Sequence, residues 1–177
     1  MSPRRQAPHR GAADRLPGGA RPAPVVGYRF WRPEPGEGGA VLRSVFSAQA
    51  WDAGATRARC PRLPPWPVAG VLIPSPSCDC GLYAFRSRAD MVRAATSAMR
   101  AVLAERSPIA EGAVVGWGPI VQHGCEGWRA AFARPVALLD TGHPLLEAAA
   151  RRYRVPLLSE PGLQLLAREH GDELAVP

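Results

Sequence analysis

The chain has 177 residues, 46% of them hydrophobic, and this composition excludes a protein that is disordered throughout. Its 20 Pro and 18 Gly favour turns and short elements, and its length favours one domain. All 22 basic residues are Arg, and the net charge of +7 makes nucleic acid a partner class to test. The chain lacks an apolar run of the roughly 18 residues that span a membrane, and its N-terminus lacks the apolar core of a secretory signal. We therefore expect a cytoplasmic protein without a membrane partner.

The excess of positive charge is greatest, for its length, at the N-terminus. Residues 1–24 hold five Arg and one acidic residue, Asp14, among several Pro and Gly. We expect this segment to be a disordered basic tail, and the alternative is an arm that grips phosphate groups. An α+β domain is expected over residues 25–140. Residues 141–177 are expected to form a C-terminal helical extension packed on that domain.

Alternating side chains predict a β-hairpin at the start of the domain. The segment "VVGYRFWRP", residues 25–33, places Tyr28 on one face of a strand and Arg29 on the other. The segment "AVLRSVFS" resumes the alternation after the turn cluster "EPGEGG". Five prolines then crowd residues 64–76, which cannot hydrogen-bond as a central strand. We expect a loop here that is ordered where another group pins it.

The segment "GLYAF", residues 81–85, predicts a buried strand, and the clearest helix follows over residues 87–105. Ser87 can accept a hydrogen bond at the start of this helix, and Asp90 supplies the negative charge that a first turn favours. Met91 begins an apolar stripe along the helix. We expect this stripe to face the core.

A second hairpin is predicted over residues 113–123 and 127–139, which are separated by the turn "GCE". Helices are predicted at about 144–154 and 161–170, where Pro in the first turn and Gly171 after the last residue are typical start and stop signals. The elements together predict an α+β fold. Its sheet is expected to be mainly antiparallel and barrel-like, with one long helix and two C-terminal helices.

The cysteines carry the chemistry of interest. Disulfides are rare in the reducing compartment that we expect, which leaves metal binding or simple burial. Cys78 and Cys80, two residues apart, point to the same side of an extended chain, so both thiolates can reach one ion. Cys60 lies near the other end of the proline-rich segment. As a third ligand, Cys60 would hold both ends of this loop at one ion, and the loop has few other contacts to fix it.

We predict His123 as the fourth ligand, at the end of a strand, with Cys125 in the following turn as the alternative. Three sulfurs and one nitrogen around Zn²⁺ form an ordinary structural site, so the hypothesis is zinc held by Cys60, Cys78, Cys80 and His123. The spacing is not one of the paired C-x-x-C patterns. The alternative is that the three cysteines are small buried hydrophobes and that His123 bonds within a turn.

Three motifs, "CDCGLYAF", "AVVGWGPIVQH" and "GWRAAFARP", resemble those of a family of small, uncharacterised actinobacterial proteins with the order CxCG(I/L)YA, a helix, WGxVxxH and GWRAxxAxP. The resemblance covers residues 26–140 in outline. It implies that the motif residues act as one unit, and it implies no activity. These residues are Cys78, Cys80, Trp117, His123, Gly127, Trp128 and Arg129. Cys125 departs from the pattern, which has a charged residue in that turn.

The order of hairpin, loop, strand, helix and second hairpin is similar in outline to small PUA-like β-barrels, some of which receive a nucleotide between strands and helix. Aromatic and Arg side chains interleave on the predicted strands and suit stacking on bases and contact with phosphates. The candidates for nucleic-acid binding are Tyr28, Arg29, Trp31, Trp117, Trp128, Arg129 and Arg134. The alternative is that the tryptophans pack in the core and that the arginines pair with carboxylates or carbonyl groups.

A complete catalytic motif is absent from the sequence. His143 and His170 lie near predicted helix ends, where capping explains them, and a dyad of Cys125 and His123 lacks a third orienting group. The sequence therefore favours a non-catalytic, zinc-stapled module that binds nucleic acid or a nucleotide. A partner protein held by the C-terminal helices is the alternative, and a Cys- or zinc-dependent hydrolase is less favoured.

Overall fold

A computed structural model describes residues 23–45, 47, 49–64, 71–95, 108–123 and 126–173. The fold is α+β, as the sequence predicts. The strands are β1 Val25–Gly36, β2 Gly39–Ser44, β3 Thr56–Arg57, β4 Leu82–Phe85, β5 Ala110–His123, β6 Gly127–Leu139, β7 Leu157–Leu158 and β8 Asp172–Glu173. The helices are α1 Arg88–Ala94, α2 Pro144–Tyr153 and α3 Glu160–His170.

The described strands form one sheet around a closed ring of pairings. Strand β1 pairs with β4 and β5, and β6 also pairs with both, so these four strands are linked in a circle by antiparallel ladders. Strand β2 extends the sheet beside β1, and β3 extends it beside β6. The ring brings residues from distant parts of the sequence onto β6.

The sheet is mixed: its long ladders are antiparallel, as the sequence predicts, and two short pairings at the C-terminal end of the chain are parallel. Strand β7 pairs with β6 in parallel, and β8 pairs with β1 in parallel. The physical reason lies in the C-terminal helices. A chain that leaves β6, crosses through α2 and returns to the same sheet as a neighbouring strand arrives parallel to it. The sequence suggested helices alone in this region because two-residue strands leave little pattern.

The predicted hairpins and helix starts are confirmed. Both hairpins are present, and the first has its turn at Glu37 and Gly38. Ser87 caps α1 by accepting a hydrogen bond of 3.0 Å from the backbone N–H of Asp90. The prediction that this helix continues to residue 105 with an apolar stripe beyond Ala95 concerns residues outside the described part of the chain.

Within the described part of the chain, no helix is long and apolar enough to cross a membrane.

The core has two clusters, on the two faces of β1. Trp31 belongs to one cluster with Trp51 and Trp128, whereas Tyr28 and Phe30 belong to the other. Alternation along a strand accounts for this division, because successive side chains point to opposite faces. The second cluster is covered by α1 and α3, through buried residues that include Met91, Leu163 and Ala167.

Helix α2 packs on the first cluster by its apolar stripe. Leu146 and Ala149 are buried there, and the hydroxyl of Tyr153 accepts a hydrogen bond of 3.0 Å from the backbone N–H of Leu42. The same hydroxyl donates to the carbonyl of Trp51 at 2.7 Å. The apolar faces of α2 and α3 are thus occupied by the sheet, which weighs against their use as the main surface for a partner protein.

Trp128 joins three strands of the ring. Its ring is fully buried, and its Nε1–H donates to the carbonyl of Val26 at 2.9 Å. Two glycines make room for it. A Cβ at Gly116 would lie 2.4 Å from the indole ring, and a Cβ at Gly27 would lie 2.9 Å from Nε1. Both distances are shorter than carbon contacts allow, so each position excludes a side chain as long as Trp128 stays in place.

We expect Gly116→Ala to lower the free energy of unfolding by about 1–3 kcal/mol, because the added methyl group overpacks the ring of Trp128. Thermal denaturation followed by circular dichroism measures this change. Gly54→Ala is the matched control, since a Cβ at Gly54 meets nothing within 4 Å. Equal melting temperatures for the two variants would contradict the packing described for Trp128.

Candidate metal site

Three thiols from separate parts of the sequence converge. The Sγ atoms of Cys60 and Cys78 are 3.6 Å apart, and those of Cys60, Cys78 and Cys80 all lie within 4.8 Å of one another. All three are free thiols, and Cys80 is the most buried. The prediction that Cys60 meets the C-x-C pair is confirmed. The three residues are close enough to hold a metal ion.

Cys60 is placed by the end of β3. The backbone N–H of Ala58 donates to the carbonyl of Ala131 on β6 at 2.8 Å, which continues the β3–β6 ladder by one more bond. A turn follows, in which the N–H of Leu63 donates to the carbonyl of Cys60 at 3.1 Å. The thiol of Cys60 is therefore held between a sheet ladder and a tight turn rather than in a free loop.

A second turn and a glycine place the C-x-C pair. The N–H of Cys78 donates to the carbonyl of Ser75 at 3.2 Å. Gly81 has a φ of +127°, a conformation that other residues rarely adopt, and a Cβ there would lie 2.9 Å from the Cβ of Arg129. The glycine lets the chain turn sharply from Cys80 into β4.

Arg129 fastens the C-x-C loop to β6. Its side chain is buried, its guanidinium donates to the carbonyls of Cys78 and Cys80, and the bond to Cys80 is 3.0 Å. The same group lies 5.7 Å from the ring centre of Tyr83. These contacts place the charge beneath the loop and away from solvent, so we remove Arg129 from the proposed nucleic-acid interface. Its positive charge lies beside the backbone that carries two of the three thiols.

The thiols of the C-x-C pair differ in acidity. The pKa of Cys78 is lowered, first by a hydrogen bond from the backbone of Cys80 and then by bonds with the other two thiols, and the charge of Arg62 acts in the same direction. The pKa of Cys80 is raised, chiefly because burial disfavours its thiolate. Cys78 is therefore the first of the pair to become a thiolate as the pH rises.

The spacing of the thiols suits a tetrahedral ion. A Zn–S bond of about 2.3 Å and a tetrahedral angle place sulfur atoms about 3.8 Å apart. The observed separation of 3.6 Å between Cys60 and Cys78 is close to this value and far from the bond length of a disulfide. A cavity of about 220 Å³ opens beside the three sulfurs and gives an ion a path from solution.

His123, the predicted fourth ligand, lies outside this group of thiols. Its side chain is exposed, and its ring makes an edge contact with Tyr83 at a centroid distance of 5.1 Å. Cys125, the alternative, lies outside the described residues. The fourth ligand therefore stays a prediction.

His143 has the capping role expected of it, because its Nδ1 accepts a hydrogen bond of 3.1 Å from the N–H of Leu145.

Three of the aromatic candidates for base stacking are core residues. Tyr28, Trp31 and Trp128 are buried in the two clusters and expose almost none of their surface. A base can stack only on an accessible ring face, so we remove these three from the proposed interface. Arg29 is partly buried, and its guanidinium donates to the carbonyl of Tyr83 and, at 2.8 Å, to the Oγ of Ser44.

Trp117 and Arg134 remain accessible, and they share a face of the sheet. Trp117 is half-buried, and its ring stacks on Phe132 with centroids 6.1 Å apart and planes 15° apart. Arg134 is exposed and lies two residues beyond Phe132 on β6. Arg57, also exposed, is the partner of Phe132 across the β3–β6 ladder. The four side chains form one patch, which we call the Trp117 face.

Sequence reasoning missed Phe132 and Arg57. Phe132 has a signal, because it alternates with Arg134 along a strand that was predicted. Arg57 has none, since its strand has two residues and no pattern of its own.

Comparison of the chain with protein-family models, with curated proteins and with solved structures found no match. The resemblance to an actinobacterial family thus stays an expectation.

We expect Cys78 to be alkylated at lower pH than Cys80 in metal-free protein. The thiolate is the reactive form, and the pKa of Cys78 is lowered while burial raises that of Cys80. Iodoacetamide labelling across a pH series, read by peptide mass spectrometry after chelation of metal, gives the two profiles. In urea the profiles should coincide. A profile for Cys80 that rises first in the folded protein would contradict the proposed difference.

Proposed function

We propose that this chain is a non-catalytic binding module in which a structural Zn²⁺ is held by Cys60, Cys78 and Cys80. The observation that carries the proposal is the convergence of the three Sγ atoms within 4.8 Å. Three thiolates favour zinc over harder ions such as magnesium or calcium, which select oxygen ligands. Sulfur-rich zinc sites are most often structural, which supports a role in stability.

The charge around the thiols supports the same proposal. Three thiolates and one Zn²⁺ leave a net charge of −1, which needs a nearby cation if it is partly buried. Arg129 lies beneath the loop, hydrogen-bonded to the carbonyls of Cys78 and Cys80, and Arg62 acts on Cys78 from the surface. Such outer partners orient the ligands of a metal and tune their basicity.

The role of the ion would be to join two ends of a long irregular segment. Residues 58–64 and 71–81 contain turns and bends but no helix or strand, so few backbone bonds fix them to the sheet. A ligand present at a thousand times its Kd stabilises the folded state by about 4 kcal/mol. That is a large fraction of the usual stability of a domain, so loss of the ion should loosen this segment first.

We expect purified protein to contain one zinc per chain, and Cys60→Ser, Cys78→Ser and Cys80→Ser each to lose it, because each removes one sulfur of the group. Inductively coupled plasma mass spectrometry measures the content, and thermal denaturation should show a lower melting temperature for each variant. Ser77→Ala, an exposed neighbour, is the matched control.

His123→Ala and Cys125→Ser identify the fourth ligand in the same assay, since the zinc content should fall with the variant that removes it. A wild-type chain that takes up no zinc when supplied with it would end the proposal. So would zinc content that is unchanged in all three cysteine variants.

We further infer that single-stranded nucleic acid binds to the Trp117 face. The stacked pair of Trp117 and Phe132 offers an accessible aromatic surface, and each base stacked on such a surface contributes about 1–3 kcal/mol. Arg57 and Arg134 flank the pair and can meet phosphates on either side. The closed ring of strands also supports the proposal of a barrel-like, PUA-like outline for the fold.

We expect Trp117→Ala to weaken binding of a labelled mixed-sequence oligonucleotide by about 5-fold to 150-fold, from the loss of one stacking platform. Arg134→Gln should weaken binding and reduce its salt dependence, because one phosphate contact is lost. Fluorescence anisotropy with RNA and with DNA at several salt concentrations measures both effects.

Arg151→Gln is the control for these variants, because Arg151 is also exposed but lies on α2, away from the Trp117 face. Circular dichroism checks that Trp117→Ala stays folded. Affinity that is the same in wild type and both variants would remove this face from the interface, and an absence of binding at low salt would favour a partner protein instead.

A further inference from the structure

A second cavity opens where β1 and β4 separate. The two strands are paired at a single position, Tyr28 with Phe85. The cavity has a volume of about 340 Å³, within the usual range for a small-molecule site. It shares no lining residue with the cavity beside the three thiols.

The walls of this cavity are mostly apolar, with a few polar groups. Phe30, Phe85 and Ala94 supply apolar surface from β1, β4 and α1. His123 and Glu126 lie at the exposed rim. Arg29, which is partly buried, brings a positively charged guanidinium to the wall. An apolar cleft with a few convergent polar groups is the usual form of a ligand site.

Arg29 lines the cavity without a carboxylate partner among the described residues. Its guanidinium donates to the carbonyl of Tyr83 and to the Oγ of Ser44, and it lies 4.8 Å from the ring centre of Trp51. Its Nε is buried and has no hydrogen-bond acceptor among the described residues, a feature that it shares with Arg88, Arg129 and Arg152. Burial lowers the pKa of Arg29 to about 10, so the group still carries its charge at neutral pH.

Arg88 shows how the same fold treats another arginine with low exposure. Its guanidinium is paired with Glu111 and with Glu160, at 2.8 Å each. A charge withdrawn from water is costly unless it is paired. Arg88 meets this requirement with two carboxylates of the chain itself, whereas the described residues give Arg29 neutral partners alone. An anion from solution would complete the environment of Arg29.

We propose that this cavity binds a small apolar monocarboxylate, with its carboxylate group on Arg29 and its hydrocarbon body against the apolar part of the wall. The planar fork of a guanidinium matches a carboxylate in shape and charge. One cation balances one negative charge, and the carboxylate of Glu126 at the rim disfavours a second. A phosphate ester with two negative charges is therefore the poorer match.

The test uses the full chain and ligands that differ in charge alone. Phenylacetate, benzoate and hexanoate are titrated by isothermal calorimetry, each beside its neutral amide, and adenosine monophosphate is titrated as the phosphate probe. We expect at least one acid to bind and its amide to bind about tenfold or more weakly, because the amide loses the charge-assisted hydrogen bonds. Binding should also shift the NMR signal of the Arg29 Nε–H, assigned by its loss in Arg29→Lys.

A cavity-filling variant checks the location without touching Arg29. Ala94→Phe places a ring in the cavity from α1 and should abolish binding of the acid, whereas Ala53→Phe, in an exposed loop, should not. The proposal is overturned if no acid binds better than its amide, or if Ala94→Phe binds as wild type does. Binding of adenosine monophosphate in preference to all three acids would also overturn it.

Discussion

The hydrogen bonds from Arg129 to the carbonyls of Cys78 and Cys80 are the constraint on which the thiol cluster depends. On one side the loop runs directly into β4, which pairs with β6, whereas residues 71–80 lie in no strand or helix. The guanidinium therefore ties to β6 the part of the loop that the ladder does not reach. The same strand holds Cys60 through the bond between Ala58 and Ala131. One strand of the ring therefore sets the distance between sulfur atoms that are 18 and 20 residues apart in sequence.

This arrangement explains why the second hairpin is so closely packed. Strand β6 must stay in register to keep Arg129 beneath the loop, and the neighbouring Trp128 fixes it by filling the space above Gly27 and Gly116. Tryptophan and arginine at adjacent positions point to opposite faces of a strand. Trp128 packs the strand against the core. Arg129, on the opposite face of this fixed strand, binds the carbonyls of the C-x-C loop.

The sequence predicts the hairpins, the start of α1 and the convergence of the cysteines, because alternation, capping and ligand chemistry are local signals. It does not predict which face of a strand an aromatic ring occupies once the ring of strands closes, and Trp31 and Trp128 are buried in the core rather than on a binding surface. Bulges add to this. The register of β5 and β6 shifts at two places, and Ala130 and Ala133 lie in the same cluster although they are three residues apart. Strict alternation would place them on opposite faces.

Arg29 and Arg129 lie in similar environments, and the consequences differ. Each guanidinium donates to backbone carbonyls where the strand ladder is interrupted, and each lies near an aromatic ring. Burying such a charge costs free energy, which an anion must offset. For Arg129, which is bonded to the carbonyls of Cys78 and Cys80, the thiolates of the proposed zinc site would supply that anion. For Arg29 the described residues supply no anion. An anionic ligand that pairs with this guanidinium would therefore gain the free energy of the missing ion pair. The two proposals, a zinc site before β4 and a site for an organic anion between β1 and β4, thus rest on a similar placement of arginine.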